Sequence, residues 1–372
     1  MQALAAVGWT EYFAPLFSVA EINMNQPEQE PKDTGATLPR RRGLLSPDAY
    51  VSGVLAGDRA VLARAITLVE STSPLHEAQA QEVLQRLLPH TGKSKRIGIT
   101  GVPGVGKSTF IESFGCFLVE QDRTVAVLTI DPTSKRSRGS ILGDKTRMEK
   151  LSRDPRAFIR PSPAGDSLGG VARRTRETLL LCEAAGFDTV LVETVGVGQS
   201  ETALRSMVDF FLLLLLPGAG DELQGIKKGI IEMADAVLIN KADGDNRLRA
   251  EQARAEQENA LHCLQSATPG WKTDVSLCSG LTGEGIPETW ELINRFYNQF
   301  EPAGLIAKRR QEQSLEWLSN LVNDELVRRF YHDTQVKKRL AALQRAILRG
   351  ETTPVRAARE LLDLRTTNEP LR

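Results

Sequence analysis

Short apolar runs recur through the middle of the chain: Arg96–Thr100, Thr124–Ile130, Ala157–Arg160, Thr189–Glu193, Phe210–Leu216, Ala236–Ile239 and Val275–Cys278. Most are separated by stretches whose apolar residues repeat at helical spacing. A short, nearly continuous apolar run predicts a strand covered on both faces, and strand–helix alternation predicts a parallel sheet. The expected fold class is α/β, a doubly wound and mostly parallel sheet, spanning residues 93–300. The longest run, Phe210–Leu216, is far too short to cross a bilayer, so no membrane span is expected.

The pattern changes on both sides of this region. In 46–92, Tyr50, Val54 and Leu55, then Val61, Leu62, Ile66 and Val69, recur at helical spacing. Pro74 interrupts the pattern and Ala78–Leu88 resumes it, giving a helical extension of two or three helices. Residues 1–45 are polar and proline-bearing around Asn25–Gly35 and read as a poorly ordered leader. The leader lacks the basic start and small-residue cleavage pattern of a secretory signal. Residues 301–372 read as a helical arm. Leu315, Leu318, Leu321, Val322 and Leu326 form one apolar stripe, and Leu340, Leu343 and Ile347 another. Such a stripe packs either on its own domain or on a partner. With so few intervening turns, an arm that buries a second subunit is the favoured reading.

Composition narrows the class further. Across 372 residues, 47 basic side chains balance 47 acidic ones, so no global field favours nucleic acid or an anionic membrane. Cys116, Cys182, Cys263 and Cys278 lie far apart with no CxxC pair. That usage suits reduced thiols in a cytoplasmic compartment rather than a disulfide framework.

The chemistry begins at Gly101-Val-Pro-Gly104-Val105-Gly106-Lys107-Ser108-Thr109, directly after one strand and before the helical pattern 110–120. A triphosphate demands many donors at close range, and glycines let backbone N–H groups wrap it. A helix starting at Lys107 turns its positive dipole end toward the same charge. Lys107 is expected to reach the β- and γ-phosphates, and the Ser108 hydroxyl to take one place on Mg²⁺. Asn240-Lys241-Ala-Asp243 follows the strand 236–239 and names the base. The Asp243 carboxylate matches the N1–H and N2 amino donors of guanine, a pair that adenine lacks. Asn240 is expected to tie this loop to the P-loop, with the Lys241 stem across the base. Ser279 and Gly280 complete the candidate base loop.

Asp131, Asp144 and Glu193 are the candidate metal carboxylates. Mg²⁺ accepts only one or two carboxylates, so not all can bind it directly. Gly196 can offer its N–H to a γ-phosphate. The segment Asp221–Lys228 lies between glycine-bearing turns and reads as a mobile loop on the ligand rim. Lys227 or Lys228 either neutralises charge on the transferred phosphoryl group or faces solvent, and the residues alone do not choose.

Taken together, the P-loop, the Asp131-Pro-Thr-Ser…Gly143-Asp144-Lys-Thr-Arg block, Glu193-Thr-Val-Gly-Val-Gly-Gln199-Ser-Glu, Gly220-Asp-Glu-Leu-Gln-Gly-Ile-Lys227 and Asn240-Lys-Ala-Asp243 resemble the MeaB/ArgK family. These are SIMIBI-class GTPases that act as chaperones of adenosylcobalamin-dependent methylmalonyl-CoA mutase. The resemblance covers about residues 47 to 350. It implies a homodimer joined through the C-terminal arm, Mg²⁺ near Ser108, Asp131, Asp144 and Glu193, and a nucleotide-responsive loop carrying Asp221 and Lys227. It favours Lys227 for activation of hydrolysis when the mutase is bound. It further implies GTP and GDP as substrate and product, a low intrinsic rate, and no cobalamin held directly. The expected partners are the mutase and, behind it, its adenosyltransferase. The leader has no counterpart in the family pattern, and Ser276-Leu-Cys-Ser279-Gly departs from the common Ser-Ala form of the base loop.

Two other readings stay in view. A nickel- or cobalt-delivery GTPase needs thiolate or imidazole ligands near the phosphate loops, and no Cys or His cluster is found there. A transport-linked ATPase or kinase for basic amino acids would need an adenine site, against which Asp243 argues.

Overall fold

The computed structural model describes residues 43–130, 148–161, 168–194, 200–218, 228–262 and 264–366. Contacts separate Met1–Leu44 from Leu45–Arg372, and the strands and helices named here belong to the second unit. Its strands are β1 (Lys95–Gly101), β2 (Val125–Ile130), β3 (Ala157–Arg160), β4 (Thr189–Thr194), β5 (Phe210–Leu215), β6 (Ala236–Ile239) and β7 (Asp274–Leu277). The expected runs all became strands, with ends moved by a residue or so. They form one sheet in the order β3-β2-β4-β1-β5-β6-β7, parallel at every pairing.

The helices are α1 (Pro47–Leu55), α2 (Arg59–Val69), α3 (Pro74–Leu87), α4 (Lys107–Glu120), α5 (Glu149–Arg153), α6 (Leu168–Ala184), α7 (Ser200–Arg205), α8 (Lys228–Glu232), α9 (Arg247–Leu261), α10 (Ile286–Phe300), α11 (Leu305–His332), α12 (Thr334–Leu348) and α13 (Pro354–Thr366). Pro74 does not interrupt a helix. It occupies the first position of α3, where its missing N–H would have had no helical partner anyway.

Alternate side chains of the strands point to two separate cores. On one face Ile97, Ile99 and Leu212 meet Phe110 and Phe114 of α4 and Trp290, Ile293 and Phe296 of α10. On the other, Val190, Val192 and Phe211 meet α6 and α7, and Tyr50, Ile66, Val83 and Leu87 of α1–α3 join the same core. Each fully buried Leu, Ile or Phe contributes about 1.5–3 kcal/mol, so these two layers dominate stability. A small third core, Val336, Leu343, Ala357 and Leu361, closes α12 against α13. Leu340 and Ile347 of the second expected stripe pack against it.

At the amino-terminal rim of the sheet a buried carboxylate anchors α11. Asp209 accepts from Arg310 Nε at 2.8 Å and Nη2 at 2.6 Å, and from the Tyr297 hydroxyl at 2.7 Å. Burial by itself would push the Asp209 carboxyl up. The Arg310 hydrogen bonds and charge outweigh it and hold the group below the usual carboxylate range. Arg310 also donates to the carbonyls of Gly92 and Ser94, both at 2.6 Å. The root of the arm is thereby bolted to β1 and β5.

Candidate functional site

The opposite, carboxyl-terminal rim carries the chemistry, as expected for an open parallel sheet. β1 is central, with β4 and β5 on either side, and the P-loop follows its last residue. Gly101 adopts φ 151°, and a Cβ there would lie 2.5 Å from the Leu214 carbonyl oxygen. Gly106 caps α4 at φ 94°, where a Cβ would approach Asn240 Nδ2 to 2.9 Å. These glycines are required by close backbone approach and by the left-handed turn into the helix. Gly104 also takes a positive φ, 82°. Val105 is buried beneath the loop, while Thr109 is exposed on the helix.

Lys107 is 7% exposed and its ammonium donates to the Gly101 carbonyl at 2.8 Å and the Val102 carbonyl at 3.2 Å. It therefore rests on the loop that would hold phosphate. Burial lowers its affinity for a proton, and the charges of Glu193 and then Glu201 act in the opposite sense. Ser108 Oγ lies 3.4 Å from Glu193 Oε1, a buried carboxylate in the penultimate position of β4. The sheet register sets Glu193 level with Ile99 and Thr129, so strand pairing brings it to the base of the loop. Hydroxyl and carboxylate oxygens at this spacing are the hard donors that suit Mg²⁺. Among the described residues no cluster of three or more His, Cys, Asp or Glu is arranged for a metal. Asp131, Asp144, Gly196, Gln199, Asp221 and Lys227 lie outside the described residues, as does the side chain of Lys228.

The base loop is built on β6 and β7. Asn240 Nδ2 donates to the Val105 carbonyl at 2.9 Å, while its Oδ1 accepts from Gly280 N at 3.0 Å. One side chain thus joins the P-loop, β6 and the loop after β7. Lys241 sits in left-handed backbone at φ 60°, and its ammonium donates to the Gly104 carbonyl at 2.9 Å. A non-glycine residue rarely takes that backbone conformation, so the surrounding contacts hold it there. Ser279 is fully buried and its hydroxyl donates to Asp243 Oδ2. That hydroxyl also accepts from Leu281 N at 3.3 Å and Thr282 N at 3.1 Å. Ser279 therefore aims Asp243. Gly280 has its own reason: a Cβ would fall 2.8 Å from Phe110 N, against the backbone of α4. The departure from the common Ser-Ala form is a packing requirement of this chain.

Glu201 was not singled out from the sequence beyond its place in the Gly-Gln-Ser-Glu block. It is 3% exposed on the first turn of α7, and its charge is felt by Lys107. A carboxylate one residue into a helix looks like an ordinary dipole partner. Only the fold brings it toward the P-loop.

The model of the family described as methylmalonyl Co-A mutase-associated GTPase MeaB matches residues 62–335. A putative GTPase of Caulobacter vibrioides is 54% identical over 318 residues, covering 86% of this chain and 97% of that protein. The mitochondrial methylmalonic aciduria type A homolog of Mus musculus is 47% identical over 325 residues, covering 85% of this chain and 78% of the relative. Among solved structures, one titled as an LAO/AO transport system kinase superposes with a TM-score of 0.71 at 38% identity, covering 87% of this chain and 99% of that one. This chain belongs to the MeaB family of GTPases and hydrolyses GTP on a P-loop α/β fold.

Proposed function

We propose that this GTPase gates the loading and protection of cofactor on an adenosylcobalamin-dependent mutase of the methylmalonyl-CoA type. The observation that carries this reading is the family match over residues 62–335, whose description joins a GTPase to that mutase. The name of the mouse relative, linked to methylmalonic aciduria, supports it. The mutase's adenosyltransferase is the second proposed partner, and cobalamin is handled by those proteins.

In the working cycle Lys107 leaves the Gly101 and Val102 carbonyls for the β- and γ-phosphates, exchanging two neutral acceptors for a charged one. Ser108 and Glu193 would hold Mg²⁺, with Asp131 or Asp144 completing its carboxylate share. The ion, when bound, would screen charge on the phosphate oxygens. Asp243, aimed by Ser279, takes the guanine edge. Gly196 offers its N–H to the γ-phosphate. Hydrolysis is slow in the free protein and is raised when the docked mutase helps place Lys227 against the transferred phosphoryl group, with Asp221 on the same loop. Lys227→Ala should therefore leave the intrinsic rate nearly unchanged and remove most of the mutase-stimulated increase. Phosphate release with and without the mutase checks this. Equal stimulation of both proteins would reduce Lys227 to surface charge.

The protein is further proposed to be a homodimer joined through α11. Gln313, Trp317 and Asp324 of that helix face α6 and α7. At 100° per residue, Leu315, Leu318, Val322 and Leu326 fall on the opposite side, and all four are exposed. An apolar stripe of this length on a free helix face is the usual mark of a partner surface. Leu318→Asp touches no core and should convert a dimer to monomers in analytical ultracentrifugation. A monomeric wild type would sink the idea. Cys116, Cys182 and Cys278 are free thiols, which supports a reducing, cytoplasmic setting. No helix among the described residues is long and apolar enough to cross a membrane.

A further inference from the structure

Each end of α7 meets a different part of the molecule. At its first turn Ser200 and Glu201 are enclosed, with Ser200 Oγ 3.3 Å from Glu201 Oε2. The charges of Glu193 and, more weakly, Glu201 both act on the P-loop lysine Lys107. At the penultimate position of α7, Leu204 lies so close to β1 that a Cβ on Gly98 would come within 2.9 Å of Leu204 Cγ. β1 runs straight into the P-loop, so the helix and the loop share a wall.

The far end of α7 is held by the arm. The carbonyls of Arg205 and Val208 accept from Gln313 Nε2 of α11 at 3.2 and 2.8 Å. Arg176 of α6 completes the junction, donating to the Gln313 carbonyl at 3.1 Å and to Ser206 Oγ at 2.5 Å. Gln313 thus caps the far end of α7.

Polar satisfaction at this junction is incomplete. Gln313 Oε1 and Trp317 Nε1, one turn apart on α11, are enclosed and have no hydrogen-bond partner among the described residues. Arg176 is 9% exposed and stacked over the Trp317 ring at 5.3 Å. Its guanidinium donates to the neutral oxygens of Gln313 and Ser206. A buried donor and a buried acceptor left unmatched raise the energy of this arrangement. An arrangement of α7 and α11 that paired them would gain that energy back, and two arrangements close in energy are what a two-state element requires.

We propose that α7 couples the nucleotide site to the arm, with Gln313 as the positioning residue through which a shift of α7 becomes a shift of α11. A nucleotide that favours one setting of α7 then favours one setting of α11. By linkage, holding α11 changes the relative affinity for the two nucleotide states. The coupling lies within one chain, so it stands whether or not the arm pairs two subunits and whichever mutase is served.

Trp317 reports on the junction directly. The full-length protein is labelled with 5-fluorotryptophan, and the Trp317 line in the ¹⁹F spectrum is assigned with Trp317→Phe. Spectra are taken with GDP and with a non-hydrolysable GTP analogue. The Trp317 line should differ between the two states while those of Trp271 and Trp290, in the other core, stay in place. In Gln313→Leu that difference should vanish and kcat should fall, with GDP affinity kept within about twofold, since Gln313 is remote from the pocket. Gln313→Met, which keeps the length of the side chain and removes its donors without adding a charge, should behave the same way. A loss of packing alone would lower stability without erasing a state-dependent line. A Trp317 line that is identical in both states, or that still moves in both variants, overturns the proposal.

Discussion

Lys107→Ala should lower GTP hydrolysis by at least about 10²–10³-fold while leaving the fold intact. The ammonium is enclosed, and it donates to two carbonyls of the P-loop itself. Its removal takes one cation from a site that also holds Glu193 and Glu201, so the empty pocket becomes more negative. Phosphate, already anionic, then meets two buried carboxylates without the compensating charge. Binding of the triphosphate should weaken and the transition state should lose more, because negative charge builds on the β–γ bridging oxygen as its bond to the γ-phosphorus breaks. Single-turnover phosphate release measures the loss, and circular dichroism measures the fold. A variant that hydrolyses GTP at the wild-type rate would remove Lys107 from the mechanism, and one that has lost its helical signal would make it structural.

Asp243→Asn is expected to cost about 3 kcal/mol of guanine-nucleotide affinity, roughly a hundredfold in Kd. The carboxylate offers two acceptors to the guanine edge, and one of them already carries the Ser279 hydroxyl. An amide keeps one acceptor and turns the other position into a donor, which faces the N1–H or N2 donors of guanine unfavourably. Xanthine presents a carbonyl at that position, so xanthosine diphosphate should bind the variant more tightly than GDP does. Calorimetric titration with GDP, xanthosine diphosphate and ADP reads all three. Unchanged GDP affinity would defeat the guanine assignment, and tight ADP binding by the wild type would revive the transport-kinase reading.

How much of this was legible beforehand differs by residue and for physical reasons. The strands were readable because a parallel sheet covered on both faces leaves no room for polar alternation, as in Phe210–Leu215. The P-loop was readable because phosphate binding by backbone N–H groups needs glycine where the chain turns, at Gly101, Gly104 and Gly106. The Asn240–Asp243 block stands out because a guanine edge would demand such a set of acceptors, and the structure joins it to the P-loop through Asn240. These requirements are local, so they are written at fixed spacing in the chain.

Other features depend on contacts between distant segments, and spacing carries no record of them. Gly280 looks like any turn glycine until the backbone of α4 is found against it. Ser279 reads as a base-loop residue, yet its hydroxyl belongs to Asp243. The two stripes of the arm look alike in sequence. Leu340, Leu343 and Ile347 are covered by α13, whereas Leu315, Leu318, Val322 and Leu326 face away from α6 and α7. Glu201 and Gln313 lie far apart in the chain and become two ends of one contact path only after α7 is wedged between β1 and α11. The local demands of phosphate and base were thus determined by sequence alone. Which side chains serve those groups indirectly was decided by tertiary packing, because burial and partnership are properties of pairs of segments.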